Sequence, residues 1–178
     1  MPGGGKSTVG RHLARALDLT FVDSDTEIER RAGMSVRAFF DAHGEDHFRQ
    51  LEQDVIDALT VKPGCVLATG GGAVLRKENR RALHERMTVI YLRTSPEDLF
   101  RRLRHDTQRP LLQVQDPLKK LRELYQTRDP LYRRTAHFVV ETGRPSVPTL
   151  VNMIMMQLEL GGLADTAFDE PDQEPEGR

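Results

Sequence analysis

The first eight residues, MPGGGKST, constrain the fold more than any other stretch of the chain. Gly5-Lys6-Ser7 matches the end of the phosphate-binding motif G-x-x-x-x-G-K-[ST]. Glycines let successive N–H groups turn towards phosphate oxygens, and the helix that follows presents its positive end to the same anion. In such a loop the lysine reaches the β- and γ-phosphates, and the serine hydroxyl coordinates Mg²⁺. The sequence therefore predicts a phosphate-binding loop over Gly3–Thr8.

The motif's first glycine would fall one position before Met1, and the strand that normally leads into such a loop would lie further upstream. One alternative is that the glycines form an N-terminal tail. Against this, Val9, Leu13 and Leu17 continue directly behind the loop at helical spacing. We therefore expect a phosphate-binding loop whose beginning is missing from the chain as written.

Length and composition indicate one soluble domain. The chain has 178 residues, of which 38% are hydrophobic and 30% charged. Its sequence has no apolar run near the roughly 18 residues that a membrane helix needs. A single cysteine, Cys65, allows no disulfide within the chain, and the six histidines form no metal-ligand pattern. These features suggest a cytoplasmic protein without a membrane partner.

The charge is unevenly distributed along the chain. Residues 163–178 carry six acidic side chains and one arginine, a net charge of −5, and we expect them to form a disordered tail. The total charge of −1 leaves +4 for the rest of the chain. The arginines of this body are scattered among motifs, which favours a small anionic substrate over a polyanion. A nucleic-acid partner is disfavoured because aromatic and basic residues do not alternate.

Apolar strands alternate with amphipathic helices, which predicts a three-layer α/β domain with a central parallel sheet over residues 1–162. The predicted strands cover about 19–22, 65–69, 88–92 and 138–141, and the main predicted helices about 7–17, 26–32, 46–59, 77–86, 117–127 and 147–160. A second short helix is expected over 128–134. The polar, basic segment 101–116 has the composition of a lid over phosphates, although an exposed connector is an alternative.

Two acids follow the first predicted strand. Asp23 and Asp25 lie where ligands bind in parallel α/β sheets, just past the carboxyl end of a strand. Asp25 alone is equally well explained as the cap of the helix that follows. Beside a phosphate-binding loop, the two acids also have a functional interpretation. One acid helps to hold Mg²⁺, and the other takes a proton from an acceptor hydroxyl.

Two further features have a structural and a functional interpretation. Arg49 and Glu52 are three residues apart on a predicted helix, a spacing that mostly indicates a surface ion pair. Gly70, Gly71 and Gly72 follow the second strand, where they allow close backbone approach to a ligand; a loose loop is the alternative.

Taken together, the motifs resemble those of the shikimate kinase family, in order and spacing, over about residues 2–160. The matching segments are Gly5–Gly10, Asp23–Asp25, Phe48-Arg49, Ala68–Gly72, Arg109–Leu112 and Arg128–Tyr132. The resemblance implies a P-loop kinase that transfers the γ-phosphoryl group of ATP to the 3-hydroxyl of shikimate, on the route to chorismate. It also implies a monomer that uses Mg²⁺, with a substrate-binding segment at about 24–60.

The resemblance also implies site residues, and we carry these over by position. Phosphates of ATP would be bound by Gly3, Gly4, Gly5, Lys6, Ser7 and Thr8, with Arg109 on the lid. Arg102 and Arg144 are candidates for the adenine side. Mg²⁺ would be held by Ser7 and, through water, Asp23. Shikimate would be bound by Asp25, Arg49, Gly70, Gly71, Gly72 and Arg128. Lys6, Asp25 and Arg109 would be catalytic, with Asp25 as the base.

In this family the first strand lies centrally in the sheet, and the written chain lacks it. Removing a central strand exposes two edges and loses a row of hydrogen bonds. We therefore expect poor folding of the chain as written, and a native polypeptide with about ten more N-terminal residues, enough for one strand of about 5–6 residues and the first glycine.

Two rival functions remain open at this point. One is another small P-loop kinase, for gluconate or a nucleoside monophosphate, which does not need Asp23, Asp25, the three glycines and Arg128 together. The other is a non-catalytic nucleotide-binding module, suggested by the incomplete loop.

Overall fold

The computed structural model describes residues 5–105 and 113–162. In these ranges the helices are α1 Lys6–Ala16, α2 Ser24–Ala32, α3 Val36–Thr60, α4 Lys77–Arg86, α5 Pro96–Leu103, α6 Pro117–Thr135 and α7 Val147–Leu160. The strands are β1 Thr20–Asp23, β2 Cys65–Ala68, β3 Ile90–Arg93 and β4 Phe138–Glu141, and Ala73–Leu75 forms a 3-10 helix. Among these helices, none combines the length and apolarity needed to span a membrane.

The strands pair in parallel, as the alternation of strands and helices predicted. β1 lies beside β2, with Thr20 opposite Cys65, and β3 lies beside β4, with Ile90 opposite Phe138. The α/β class is thus confirmed. The single central sheet is not seen as such, because the described strands form two separate two-stranded sheets.

An apolar cavity of about 380 Å³ lies between the two sheets. It is lined by residues of β2 and β3, with Leu13 of α1 and Ile154 of α7 among its other walls. Neither β2 nor β3 has a second strand partner within the described ranges, so each presents an unpaired edge. Our expectation of a further strand ahead of the phosphate-binding loop stays a prediction.

The helices are fixed by their apolar faces and caps. α1 and α7 pack together through Val9, Leu13 and Ile154, in one buried cluster with Val140 of β4. Ser35 and Ser95 cap the N-termini of α3 and α5, where their side chains accept hydrogen bonds from the backbone N–H groups of Ala38 and Asp98.

One predicted helix boundary was wrong. The predicted helix over 46–59 matches the second half of α3, because Gly44 has non-helical backbone angles (φ 82°, ψ 174°) and α3 is kinked there into two helical segments. The predicted helices 117–127 and 128–134 form one helix, α6, despite Pro130. Burial of Tyr132 and Thr135 beyond the proline holds the last turns in place.

Helix α1 approaches β1 at Gly10. A Cβ atom at this position would lie 2.7 Å from Cε2 of Phe21, too close for the ring to remain where it is. The phosphate-binding end of α1 is therefore held against β1 by a contact that requires glycine.

We expect Gly10→Ala to lower the free energy of unfolding by about 1–3 kcal/mol, because the added methyl group overpacks the contact with Phe21. Thermal and denaturant unfolding would measure the change. In a Phe21→Ala background the cost should disappear. Stabilisation of about 1 kcal/mol by Gly10→Ala, as helix propensity alone predicts, would contradict the close contact.

Candidate active site

Three chain segments meet where β1 and β2 end. These are the start of α1 at Gly5–Ser7, the end of β1 at Asp23, and the three glycines Gly70–Gly72, here called the glycine loop. Gly5 caps α1 with a φ of 74°, a left-handed conformation that glycine adopts without strain. Gly3 and Gly4, predicted to bind phosphates, lie outside the described residues.

Asp23 uses its two carboxylate oxygens separately. Oδ1 accepts hydrogen bonds from the backbone N–H groups of Asp25 (2.8 Å) and Thr26 (3.4 Å), so Asp23 caps α2. Oδ2 accepts a hydrogen bond from the Ser7 hydroxyl at 3.1 Å. The capping alternative raised for Asp25 is therefore wrong, because the preceding acid already fills that position.

The contact between Ser7 and Asp23 joins the two side chains predicted to hold Mg²⁺. Both are oxygen donors, which Mg²⁺ prefers, and a Mg²⁺ ion bound with nucleotide needs only one or two protein ligands beside phosphates and water. Within residues 5–105 and 113–162, no group of three or more His, Cys, Asp or Glu side chains could hold a metal by itself. Ser7 and Asp23 therefore fit a Mg²⁺ ion that binds together with nucleotide phosphates.

The Asp25 carboxyl is half-buried beside the glycine loop. A Cβ atom on Gly70 would lie 3.0 Å from Asp25 Oδ1, so the loop backbone runs directly past this carboxyl. Burial, followed by the neighbouring charge of Asp23, raises the pKa of Asp25, while Lys6 and Arg49 act in the opposite direction. A carboxylate of raised pKa is a better proton acceptor than an exposed one.

Arg49 and Glu52 form a buried ion pair, and the prediction of a surface pair was wrong. Arg49 Nη1 donates to Glu52 Oε1 at 2.9 Å, and Glu52 is only 1% exposed. Burial raises the pKa of Glu52, and the hydrogen bond from Arg49 opposes that shift. Nε of Arg49 is buried without a hydrogen-bond partner, and the carboxylate oxygen Oε1 of Glu45 lies 3.5 Å away from it.

The glycine loop packs against both acidic and basic side chains. A side chain at Gly72 would overlap the Arg49 guanidinium. The N–H of Gly70 donates to Ser24 Oγ at 3.3 Å, which ties the end of β2 to the end of β1. The loop is therefore held close to its neighbours, and the loose-loop alternative is wrong.

Helix α6 brings Arg128 to the same side of the site. The Tyr132 hydroxyl donates to the carbonyl oxygen of Gly71 at 2.5 Å, and Arg128 lies near enough to oppose the effect of burial on the pKa of that hydroxyl. Arg128 also lies near enough to Glu52 to influence the pKa of that carboxyl. The structure thus gathers Asp25, Arg49, the glycine loop and Arg128 into one cluster.

The residues predicted for the adenine side lie elsewhere. Arg102, on α5, donates through Nη2 to the carbonyl oxygen of Thr142, and its Nη2 lies 3.5 Å from the Gly143 oxygen. Arg144 is the next residue of that loop and is exposed. Arg102 and Arg144 are therefore neighbours, whereas Arg109 lies outside the described residues.

Glu52, Tyr132 and Ser24 lie in the site although the sequence did not predict them there. Glu52 lies four residues after Phe48 and three before Val55, inside an otherwise apolar stripe of α3, which was a signal of a buried carboxyl. Tyr132 lies one helical turn after Arg128, a spacing that places both on one face of α6. Ser24 offered no signal beyond its position between two acids.

A parallel α/β fold, a Gly-Lys-Ser helix start and an acid paired with that serine define a P-loop phosphotransferase. The family model described as shikimate kinase matches residues 2–159. The chain belongs to the shikimate kinase family, and it is an enzyme of the kinase class.

Individual relatives agree with the family match. A shikimate kinase of Ralstonia nicotianae is 59% identical over 161 residues, which is 90% of this chain and 85% of that protein. Among solved structures, shikimate kinase from Acinetobacter baumannii in complex with shikimate is 46% identical, with a TM-score of 0.83 over 90% of this chain and 89% of that one. The Aquifex aeolicus enzyme is 32% identical, with a TM-score of 0.80 over 92% and 95%.

We expect Asp25→Asn to stabilise the protein at neutral pH, because a carboxyl with a raised pKa is costly to ionise in the folded state. The folded protein binds a proton at Asp25 more readily than the unfolded chain does. The variant's advantage should therefore shrink as the pH falls towards 4 and the wild-type carboxyl becomes protonated. Melting curves at pH 7 and pH 4 would measure the difference in melting temperature between the variant and the wild type. A difference of about 2–4 °C corresponds to 1 kcal/mol in the free energy of unfolding.

Asp41→Asn, which changes an exposed acid on α3, provides the matched control and should leave the melting temperature nearly unchanged. A lower melting temperature of Asp25→Asn at pH 7 would show that the Asp25 carboxylate stabilises the fold, contrary to the cost expected from its burial.

Proposed function

We propose that this chain transfers the γ-phosphoryl group of ATP to the 3-hydroxyl of shikimate, giving shikimate 3-phosphate for chorismate and aromatic amino-acid biosynthesis. The observation that carries the proposal is the cluster of Arg49, Arg128 and the glycine loop beside the Asp25 carboxyl. A small acceptor with both a carboxylate and hydroxyl groups fits this combination of two guanidinium groups and one carboxylate.

On the acceptor side, Arg49 and Arg128 bind the carboxylate, since a guanidinium matches a carboxylate with two parallel hydrogen bonds. Gly70, Gly71 and Gly72 line the ring, because the absence of side chains lets the acceptor approach the backbone. Asp25 binds hydroxyl groups at the opposite end and accepts the proton of the reacting hydroxyl.

On the nucleotide side, Gly5, Lys6, Ser7 and Thr8 contact the phosphates, together with Gly3 and Gly4. The positive end of α1 and the Lys6 ammonium stabilise the charge on the transferring group. Arg109, on the lid over about 101–116, adds a positive charge as that group moves. Arg102 and Arg144 contact the adenine. Ser7 and Asp23 hold Mg²⁺, which neutralises phosphate charge when it is bound with the nucleotide.

The enzyme works as a cytoplasmic monomer, with residues 1–162 forming one domain and 163–178 an acidic tail. Neither nucleic acid nor membrane is a partner; the total charge of −1 gives no support for binding to a polyanion.

The test is a coupled assay of ADP release with Mg-ATP and one acceptor at a time: shikimate, gluconate, or a nucleoside monophosphate. We expect release that depends on shikimate alone, with the phosphorylated product identified by mass spectrometry. Release with gluconate or a nucleoside monophosphate instead would support another small P-loop kinase. A cooperatively melting protein that releases no ADP with any acceptor would support a non-catalytic nucleotide-binding module.

We expect Arg49→Ala to raise the KM for shikimate by about 10–100-fold, because a charge-assisted hydrogen bond contributes about 1.5–3 kcal/mol. The KM for ATP should change less than twofold, since Arg49 lies on the acceptor side. Steady-state kinetics with each substrate varied in turn would measure both constants.

Arg81→Ala is the matched control, because Arg81 is exposed on α4 and pairs only with Glu85 among the described residues. It should leave both KM values unchanged. Equal weakening of shikimate and ATP binding by Arg49→Ala would contradict the assignment of Arg49 to the acceptor.

A further inference from the structure

The Tyr132 hydroxyl lies between two parts of the acceptor site that are far apart in sequence. It donates to the carbonyl oxygen of Gly71 at 2.5 Å. Arg128, one turn earlier on α6, lies near enough to influence the pKa of the same hydroxyl. We propose that Tyr132 is a positioning residue, which sets the glycine loop and the Arg128 guanidinium relative to each other for shikimate binding. This inference rests on the proposed function.

The tyrosine ring is held firmly enough to act as a fixed support. Tyr132 is 9% exposed, and its ring lies 4.8 Å from that of Tyr91, at an angle of 32°. Leu99 and Leu121 are completely buried in the same cluster, together with Val74. With the ring fixed by packing, the hydroxyl reaches the Gly71 carbonyl with little freedom to move.

The protonation state of the phenol fixes what its oxygen can do. Burial raises the pKa of Tyr132, so the hydroxyl keeps its proton at neutral pH. That proton is donated to the Gly71 carbonyl. The lone pairs of the phenolic oxygen can accept from a donor, and the Arg128 guanidinium lies near enough to influence the pKa of this hydroxyl.

The functional role can be separated from packing because the ring and the hydroxyl do different things. The ring belongs to the buried cluster of β3, α5 and α6, whereas the hydroxyl donates to the glycine loop. Removing the hydroxyl leaves the ring in the core. Gly71 and Arg128 would then lose the atom that holds them at a set distance.

Tyr132→Phe tests the inference. We expect the KM for shikimate to rise by about 5–10-fold, the effect of one net hydrogen bond, while the KM for ATP stays within twofold of the wild type. The melting temperature should fall by no more than a few degrees. Tyr125→Phe is the matched control, because Tyr125 lies on the same helix and packs against the same cluster; its kinetics should equal those of the wild type.

A double variant tests whether Tyr132 acts through Arg128. If it does, Tyr132→Phe should raise the KM for shikimate by a smaller factor in an Arg128→Ala background than in the wild type. If the two separate fold-increases in the KM for shikimate simply multiply in the double variant, Tyr132 does not act through Arg128 and the coupling is overturned.

Two other results would overturn the inference alone. One is an unchanged KM for shikimate in Tyr132→Phe, and the other is an equal loss for both substrates with a large fall in melting temperature, which a structural role predicts. A wild-type protein without shikimate-dependent ADP release would contradict the proposed function itself. The inference about Tyr132 would then fail as well.

Discussion

The proposed acceptor side of the site depends on an ion pair between Arg49 and the buried carboxylate of Glu52. A carboxylate that is 1% exposed is costly to ionise, and it is tolerated here because the guanidinium donates to it directly. Glu52 in turn holds the Arg49 guanidinium in one orientation, and the Glu45 carboxylate lies 3.5 Å from Nε of the same arginine. Removal of Arg49 would leave the Glu52 carboxylate buried without the group that donates to it.

The glycine loop makes this ion pair compatible with a binding site. A Cβ atom at Gly72 would occupy the space of the Arg49 guanidinium, and one at Gly70 would press on Asp25. Gly70 and Gly72 therefore leave room for the Asp25 carboxyl and the Arg49 guanidinium. Tyr132 then fixes the middle of the loop through the Gly71 carbonyl.

Most of the site could be predicted from sequence because its members lie in short motifs. Gly5, Lys6 and Ser7 are recognisable by spacing alone, and Asp23 and Asp25 by their position after a strand. Glu52 was dismissed as half of a surface pair, because spacing on a helix says which residues are neighbours but not which face is covered. Whether Glu52 is buried depends on segments distant in sequence, since its carboxyl lies beside Gly70 of the glycine loop and near Arg128 of α6.

Local sequence determined the elements of this protein: the glycine start of α1, the serine caps of α3 and α5, and the alternation of strands with helices. These features depend on backbone conformation and on hydrogen bonds within a few residues, so they can be read from short stretches. Tertiary structure alone decided that Asp23 serves both as a cap and as a partner of Ser7, that Glu52 is buried, and that Tyr132 joins Arg128 to the glycine loop. Each depends on the packing of segments distant in sequence, where burial changes the free energy of a charge or a hydroxyl group.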